Sequence, residues 1–528
     1  MCFAPATARA TDKCALIESR SSLPTLSGAH ITSVDVVSGG PELPGPVARF
    51  AAFHTNSRAS VIRRQLLFAP GDTIDTLLVA ETLRRLRAQR LFGDAAITAQ
   101  RCDADGGVAL SIHTRDTWTL RPTARLQSTN QLSVGVEEKN FLGTGRAVSL
   151  TREYTLRGNG AAVSLVDPFL FGRDLTGNVR LANLAGGHTL RFGVRRHEYS
   201  VFDGWKAEAN FARLSYGDTI VGERALHTIT AAGLLGKQIA RSPAGVSMVL
   251  AGFDFDSAAS ISPSMRQVAP GQPHVRSYLG LDLGFQRRTA EFDSAGWIAP
   301  GRGFLDVPLG WESEVLVGAG YERAAEEPAM KIDGWLGRVF MPRHGSIVMV
   351  DGWASSYFGR EIDRNQIVRG ALSWYQQAAR GMWGVRLTAE ELLELDPDRR
   401  NLSLMALADY TAPVLRPYVA RGGQSVTGSL GRDIRLFTVG ANSVVNVGPW
   451  VAGSYRWSVD NAPGNQVKAG VVGGRLRILS ANGAISSIRL DFGYPVIRSA
   501  FLNRSPFVTI TYGALFDVSR QRDGRRLF

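Results

Sequence analysis

The periodicity of apolar and polar positions changes at about Pro122. Before it, roughly ninety residues read strand, helix, helix, strand, strand; after it, apolar and polar residues alternate at period two, cut by Gly, Asn and Asp. Over Ala29–Val37, the residues Ile31, Val34 and Val36 stand among polar partners as in a strand. Ser60 to Leu67 sets Val61, Ile62 and Leu66 on one side of a short helix and Arg63 and Arg64 on the other. After Pro70-Gly71, Asp72 and Asp75 offer N-cap carboxylates to a second helix. There Val79, Leu83 and Leu86 recur at i, i+4 and i+7, leaving Glu81, Arg84, Arg85 and Arg87 as the expected solvated face. Two strands, Ala95–Arg101 and Val108–Arg115, join through the Asp103–Gly107 turn.

The long second region predicts a mainly β fold. Leu132, Val134 and Val136 alternate with Ser133, Gly135 and Glu137, and Ile488, Leu490, Phe492 and Tyr494 with Arg489, Asp491 and Gly493. Val508, Ile510, Tyr512, Ala514 and Phe516 repeat the pattern near the end of the chain. Such strands offer one face to lipid and the other to a wet interior, and closure into a barrel satisfies every backbone group in lipid. The expected architecture is a transmembrane antiparallel β-barrel (residues 123–528) behind one small α+β (βααββ) domain at 29–122. Sharing residues 124–517 among about sixteen strands allows about 25 residues per strand and connection, and fourteen or eighteen strands also fit. Trp297, Trp311, Trp335, Trp353, Trp374, Trp450 and Trp457 are candidates for interfacial girdles.

Composition narrows the classes. The 57 glycines suit many turns between strands. The mean hydropathy of −0.04 is ordinary for soluble proteins and also fits a two-faced barrel, while the absence of any apolar run of about 18 residues excludes a helical membrane protein. The net charge of +13 is spread along the chain with no zinc-ligand set or RNA-binding signature, so no nucleic-acid partner is expected. Outer-leaflet phosphates or a cation-lined lumen account for it as well. Residues 1–10 end in Ala8-Arg9-Ala10 like a signal-peptide remnant, with 11–28 as a linker. Cys14 and Cys102 would then remain, and an oxidising compartment permits a disulfide between them; two separate thiols are the alternative.

The phrases VIRRQLLFAPGD, LRRLRAQRLFGDAAI and DGGVALSIHTRDTWTLRP make the first domain resemble a POTRA (polypeptide-transport-associated) domain. In the second region NFLGTGRAVSL (Asn140–Leu150), DPFLFGR (Asp167–Arg173), RLDFGYPV and PFVTITYGALF resemble the barrel of the bacterial surface antigen family, which includes the BamA/TamA-type assembly factors and two-partner secretion transporters. From Gly186 to Arg400 the resemblance rests on alternation alone. It implies a Gram-negative outer-membrane protein, with its first domain in the periplasm, that inserts or translocates polypeptide or lipid without ATP. The implied partners are an unfolded polypeptide client at the POTRA-like domain, outer-membrane lipid and lipopolysaccharide, and the assembly machinery for its own insertion. POTRA domains are implied to take extended chains by adding a strand to a sheet edge.

The resemblance also implies site residues. A seam between first and last strands would join Leu132–Lys139 to Pro506–Phe516, with Leu132, Val134 and Val136 facing Ile510, Tyr512, Gly513 and Phe516. A lumen-entering loop matches VLRPYVARGG, giving Arg416, Pro417 and Tyr418, with Pro417 in place of the family's glycine. Asp409, Asp433 or Asp491 are the carboxylates available to Arg416. No HExxH, GxSxG, P-loop or dinucleotide fingerprint is present, and the eight histidines form no ligand pair, so neither enzyme activity nor a cofactor or metal is expected. A passive channel tethered by its first domain, or a barrel hydrolase with an inward Ser/His/acid cluster, are the rival readings.

Overall fold

The computed structural model describes residues 14–17, 26–41, 54–88, 91–102, 107–117, 119–128, 131–155, 158–184, 187–196, 202–216, 225–242, 244–261, 273–294, 306–359, 363–393, 423–439, 443–457, 467–480, 486–497 and 506–514. Its first part consists of β1 (Cys14–Ile17), β2 (Ile31–Gly39), α1 (Ala59–Arg63), α2 (Thr76–Ala88), β3 (Phe92–Cys102) and β4 (Val108–Asp116). The sheet runs β1-β3-β4-β2, with β2 parallel to β4 and the other pairs antiparallel. The expected βααββ order is present, with β1 added in front of it. Ile31, Ile62, Val79, Leu83, Leu86, Leu110 and Ile112 form the core between helices and sheet. Asp75 caps α2, its Oδ1 accepting from the Leu77 amide at 2.8 Å, while Asp72 accepts from the Ala69 amide at 2.7 Å and holds the preceding turn.

The polar face of α2 is not the solvated face its sequence suggests. Glu81 and Arg85 are buried. Arg84 makes a two-point contact with Glu81 at 2.6 Å, Arg85 donates to Gln65 Oε1 at 3.0 Å, and Arg87 donates to the Ala95 carbonyl at 3.3 Å. Neighbours on this side also cover the face, among them Phe292, over which the Arg84 guanidinium lies at 4.6 Å. Arginine stems tolerate such cover when their heads find acceptors.

The rest of the chain is one closed antiparallel sheet. Its strands are β5 (Leu120–Ser128), β6 (Gln131–Phe141), β7 (Arg146–Thr155), β8 (Gly158–Asp167), β9 (Leu175–Leu184), β10 (Gly187–Arg196), β11 (Trp205–Tyr216), β12 (Ala225–Ser242), β13 (Gly245–Ile261) and β14 (Pro273–Thr289). A small hairpin, β15 (Phe292–Ser294) with β16 (Asp306–Pro308), interrupts the order. The wall continues through β17 (Gly310–Glu322), β18 (Glu327–Arg343), β19 (Ser346–Phe358), β20 (Asp363–Ala378), β21 (Gly381–Leu393), β22 (Gly423–Val439), β23 (Ser443–Trp457), β24 (Val467–Ser480), β25 (Ser486–Ile497) and β26 (Phe507–Ala514). Sequence neighbours pair throughout, and β26 closes on β5. Twenty strands make this wall among the described residues, more than the roughly sixteen expected. The connections at one end are shorter than that division assumed, as at Ser242–Gly245, Arg343–Ser346 and Ala378–Gly381.

The two faces are inverted relative to a water-soluble protein. Outward residues such as Leu235, Leu281, Leu283, Leu336 and Val368 are exposed, Leu281 by 72 %. Buried polar residues, including Asp254, Asp256, Arg276, Gln286, Asp433, Arg477 and Asp491, belong to the same wall. An apolar exterior around a polar interior is the pattern of a transmembrane barrel. No helix among the described residues is long and apolar enough to cross a membrane. The tryptophans divide: Trp311 is outward and 48 % exposed, whereas Trp450 is buried and Trp353 turns its Nε1 to Asp333 at 3.4 Å. Trp450 and Trp353 are therefore interior packing and not girdle residues, and Trp297 lies outside the described residues.

Candidate functional site

The two phrases Asn140–Gly145 and Asp167–Arg173 lie in connections at the short-turn end and receive the N-terminal domain. Asn140 is buried at the centre of this junction. Its Nδ2 donates to Ser57 Oγ at 2.9 Å and to the Thr55 carbonyl at 3.3 Å, while its Oδ1 accepts from the Gly145 amide at 2.8 Å. The Arg58 amide donates to the Gly143 carbonyl at 2.9 Å. From the domain side, Asp116 Oδ2 accepts from the Ser57 amide at 2.6 Å and pairs with His54 Nε2 at 3.2 Å. From the next connection, Phe169 enters the core of the N-terminal domain, and Arg64 lies over its ring at 5.3 Å.

Gly143 has φ +72°, and a Cβ there would sit 2.4 Å from the Asn56 carbonyl oxygen. Gly143→Ala is expected to strain the β6–β7 turn by about 1–2 kcal/mol through the left-handed backbone, and to weaken docking through the clash with the Asn56 carbonyl. Faster proteolysis of the 54–58 segment in the variant, with barrel folding unchanged, is the measurement.

The closure stands directly beside this junction. Strand β4 ends at Asp116 and β5 begins at Leu120, so the domain's central strand leads into the closing strand of the barrel. Thr117 and Thr119 between them are buried, and Thr117 donates to the Leu91 carbonyl through both its amide (2.8 Å) and its hydroxyl (3.1 Å). With 9 and 8 residues, β5 and β26 are the shortest described strands of the wall. Leu132, Val134 and Val136 lie on β6, opposite Leu126, Ala124 and Pro122 of β5. The closing pair is thus β5 with β26, and the expected Leu132–Lys139 segment is one strand in from it, because the barrel begins before the sequence change at Pro122. Ile510, Tyr512 and Gly513 are on β26, in register with Leu490, Ile488 and Ser487 of β25. Phe516, Arg416, Pro417, Tyr418 and Asp409 lie outside the described residues. Asp433 and Asp491 already have wall partners: Arg477 pairs with Asp433, and Arg475 and Arg489 reach Asp491 at 2.5 and 2.7 Å.

Inside, ion pairs connect strands that are not neighbours. Lys331 of β18 meets Asp254 of β13, and Lys206 of β11 meets Glu314 of β17 at 3.5 Å. Arg276 and Asp256 pair between the neighbouring strands β14 and β13. Close strand packing here depends on glycine: a Cβ on Gly320 would sit 2.3 Å from the Leu279 carbonyl oxygen. These struts cross the polar interior along β11–β18.

No protein-family model and no curated protein sequence matches the chain. Solved structures with a similar fold include BamA from Haemophilus ducreyi lacking POTRA domains 1–3, at 12 % identity and TM-score 0.38, covering 92 % of this chain and 84 % of that one. CdiB from Acinetobacter baumannii aligns at 10 % identity and TM-score 0.36, over 94 % of this chain and 77 % of that one. CdiB from Escherichia coli aligns at 9 % identity and TM-score 0.44, over 94 % and 80 %. Similarity at this level carries no functional assignment.

Sequence reasoning missed Asn140, Phe169, Asp116 and the struts. Asn140 and Phe169 stand in phrases that the sequence already marks, so those phrases were the available signal for a junction. The struts join residues 77 and 108 positions apart, a separation that alternation does not record. The Ser57, His54 and Asp116 cluster is not an inward catalytic set: it lies at the junction, and the buried Ser57 hydroxyl takes a hydrogen bond from Asn140.

Proposed function

We propose that this chain is an outer-membrane protein that inserts or translocates polypeptide, with its N-terminal domain in the periplasm as a POTRA-like receiving module. The observation that carries this reading is the direct continuation of β4 into β5 at the closure. A client engaging the domain's sheet pulls on the strand that closes the barrel.

Wall height supports the same reading. Wall strands β5 to β10 have 9 to 11 residues, and the wall strands from β11 to β25 have 12 to 18. At about 3.3 Å per residue and a tilt near 45°, ten residues reach about 23 Å, short of a hydrocarbon core of about 30 Å. Lipid beside the closure thins to match, which lowers the barrier to inserting a strand there. The Arg416, Pro417 and Tyr418 segment acts in this reading as a lumen gate, and the long-loop end faces lipopolysaccharide. The barrel's own insertion relies on the outer-membrane assembly machinery.

Single-channel conductance in planar bilayers tests it, comparing the whole chain with a variant lacking residues 414–423. A small, flickering conductance that becomes large and steady in the deletion is expected. A large steady pore in both identifies a passive channel and overturns the gated translocator.

A further inference from the structure

We propose that Cys14 and Cys102 form a disulfide that fastens β1, the chain's own N-terminal segment, along the outer edge of β3. In the sheet order β1-β3-β4-β2, β1 covers an edge of β3 that would otherwise present unpaired backbone groups. The register places Cys14 opposite Cys102, followed by Ala15 with Arg101, Leu16 with Gln100 and Ile17 with Ala99. Opposed residues of an antiparallel pair share a face, with Cα atoms about 4.5 or 5.5 Å apart depending on the hydrogen-bonding position. Both spacings fall within the roughly 4.4–6.8 Å that a disulfide spans. No other cross-strand pair in the described sheet brings two cysteines together.

Four residue pairs hold a strand weakly, and a covalent bond at its far end turns a fraying edge into a permanent one. The bond forms by exchange with a protein disulfide of the thiol-oxidase class. One cysteine thiolate attacks that disulfide, and the second displaces the oxidase from the mixed disulfide. The two cysteines lose two electrons and two protons, and the oxidase leaves as a dithiol. The oxidised chain thus supplies its own edge strand, and reduction frees β3 for an extended polypeptide. That consequence rests on the translocation reading; the bond itself does not.

The test uses the full chain recovered from an oxidising compartment without reductant, with free thiols alkylated before digestion and mass mapping. A linked peptide pair containing Cys14 and Cys102, lost on reduction, is expected. Alkylation of both residues in the unreduced chain, or linkage of either to Cys2, overturns the proposal. Amide hydrogen exchange of residues 99–102 then compares the oxidised chain with the reduced chain and with Cys14→Ser. Exchange at least tenfold faster in the latter two is expected, with 108–116 unchanged and heat-modifiable barrel migration verifying the fold. Equal exchange in all three overturns the fastening role. A chain that carries the bond yet moves no client overturns the translocation reading and leaves the latch standing.

Discussion

Phe169→Ala is expected to destabilise the N-terminal domain by about 3–5 kcal/mol, the range for truncating a buried phenylalanine. The ring is 4 % exposed and belongs to the same core as Val61, Ile62 and Leu91, although its backbone belongs to a connection of the barrel. Removing it opens a cavity in one domain by a change in the other, and Arg64 loses the ring it covers. Two transitions should then replace a coupled one: denaturant unfolding of the domain, followed by tryptophan fluorescence, moves to lower concentration while heat-modifiable migration of the barrel is unchanged. Phe171→Ala is the control. Phe171 is two residues away in the same connection and 86 % exposed, so its loss should cost little. An unchanged domain transition in Phe169→Ala would mean that the junction does not hold the domain.

Such a residue shows where sequence reasoning reaches and where it stops. Alternation at period two located the apolar exterior, because lipid imposes its demand on every second residue whatever the partner strand. Leu132, Val136, Leu150 and Phe492 are all exposed outward as the pattern requires. Helix periodicity likewise found Val79, Leu83 and Leu86 in the core. Polar residues carry no equivalent signal. Glu81 and Arg85 read as solvated because burial of a charge depends on the partners the fold brings, here Arg84 donating to Glu81 and Gln65 accepting from Arg85. Strand number went the same way: period two gives the face of a strand but not the length of a turn. The expected boundary at 122/123 cuts β5 (Leu120–Ser128) near its start, because β4 passes into β5 through only Thr117–Thr119, with no loop composition to mark it.

The struts inside the barrel give the second large expectation. Asp254→Ala removes the carboxylate that meets Lys331 from five strand labels away, and a cost at the low end of about 3–5 kcal/mol is expected, since Lys331 keeps a fifth of its side chain exposed. The Tyr357 ring, 5.5 Å from Lys331 Nζ, retains part of the cation's company. Replacing both partners, Asp254→Ala with Lys331→Met, should recover part of that loss, because no cation is then left without its carboxylate, while Asp282 and Asp333 lose the Lys331 charge they face. The double-mutant cycle therefore predicts a coupling well above zero, whereas two exposed charges in a wide aqueous pore would add independently. Conductance gives the other half of the argument. A strut crossing the interior along β11–β18 occupies space in the ion path, so both variants are expected to conduct more than the parent while only the single variant is strongly destabilised. Equal conductance in all three would place the barrier to ions elsewhere in the lumen and leave the pair a purely structural tie.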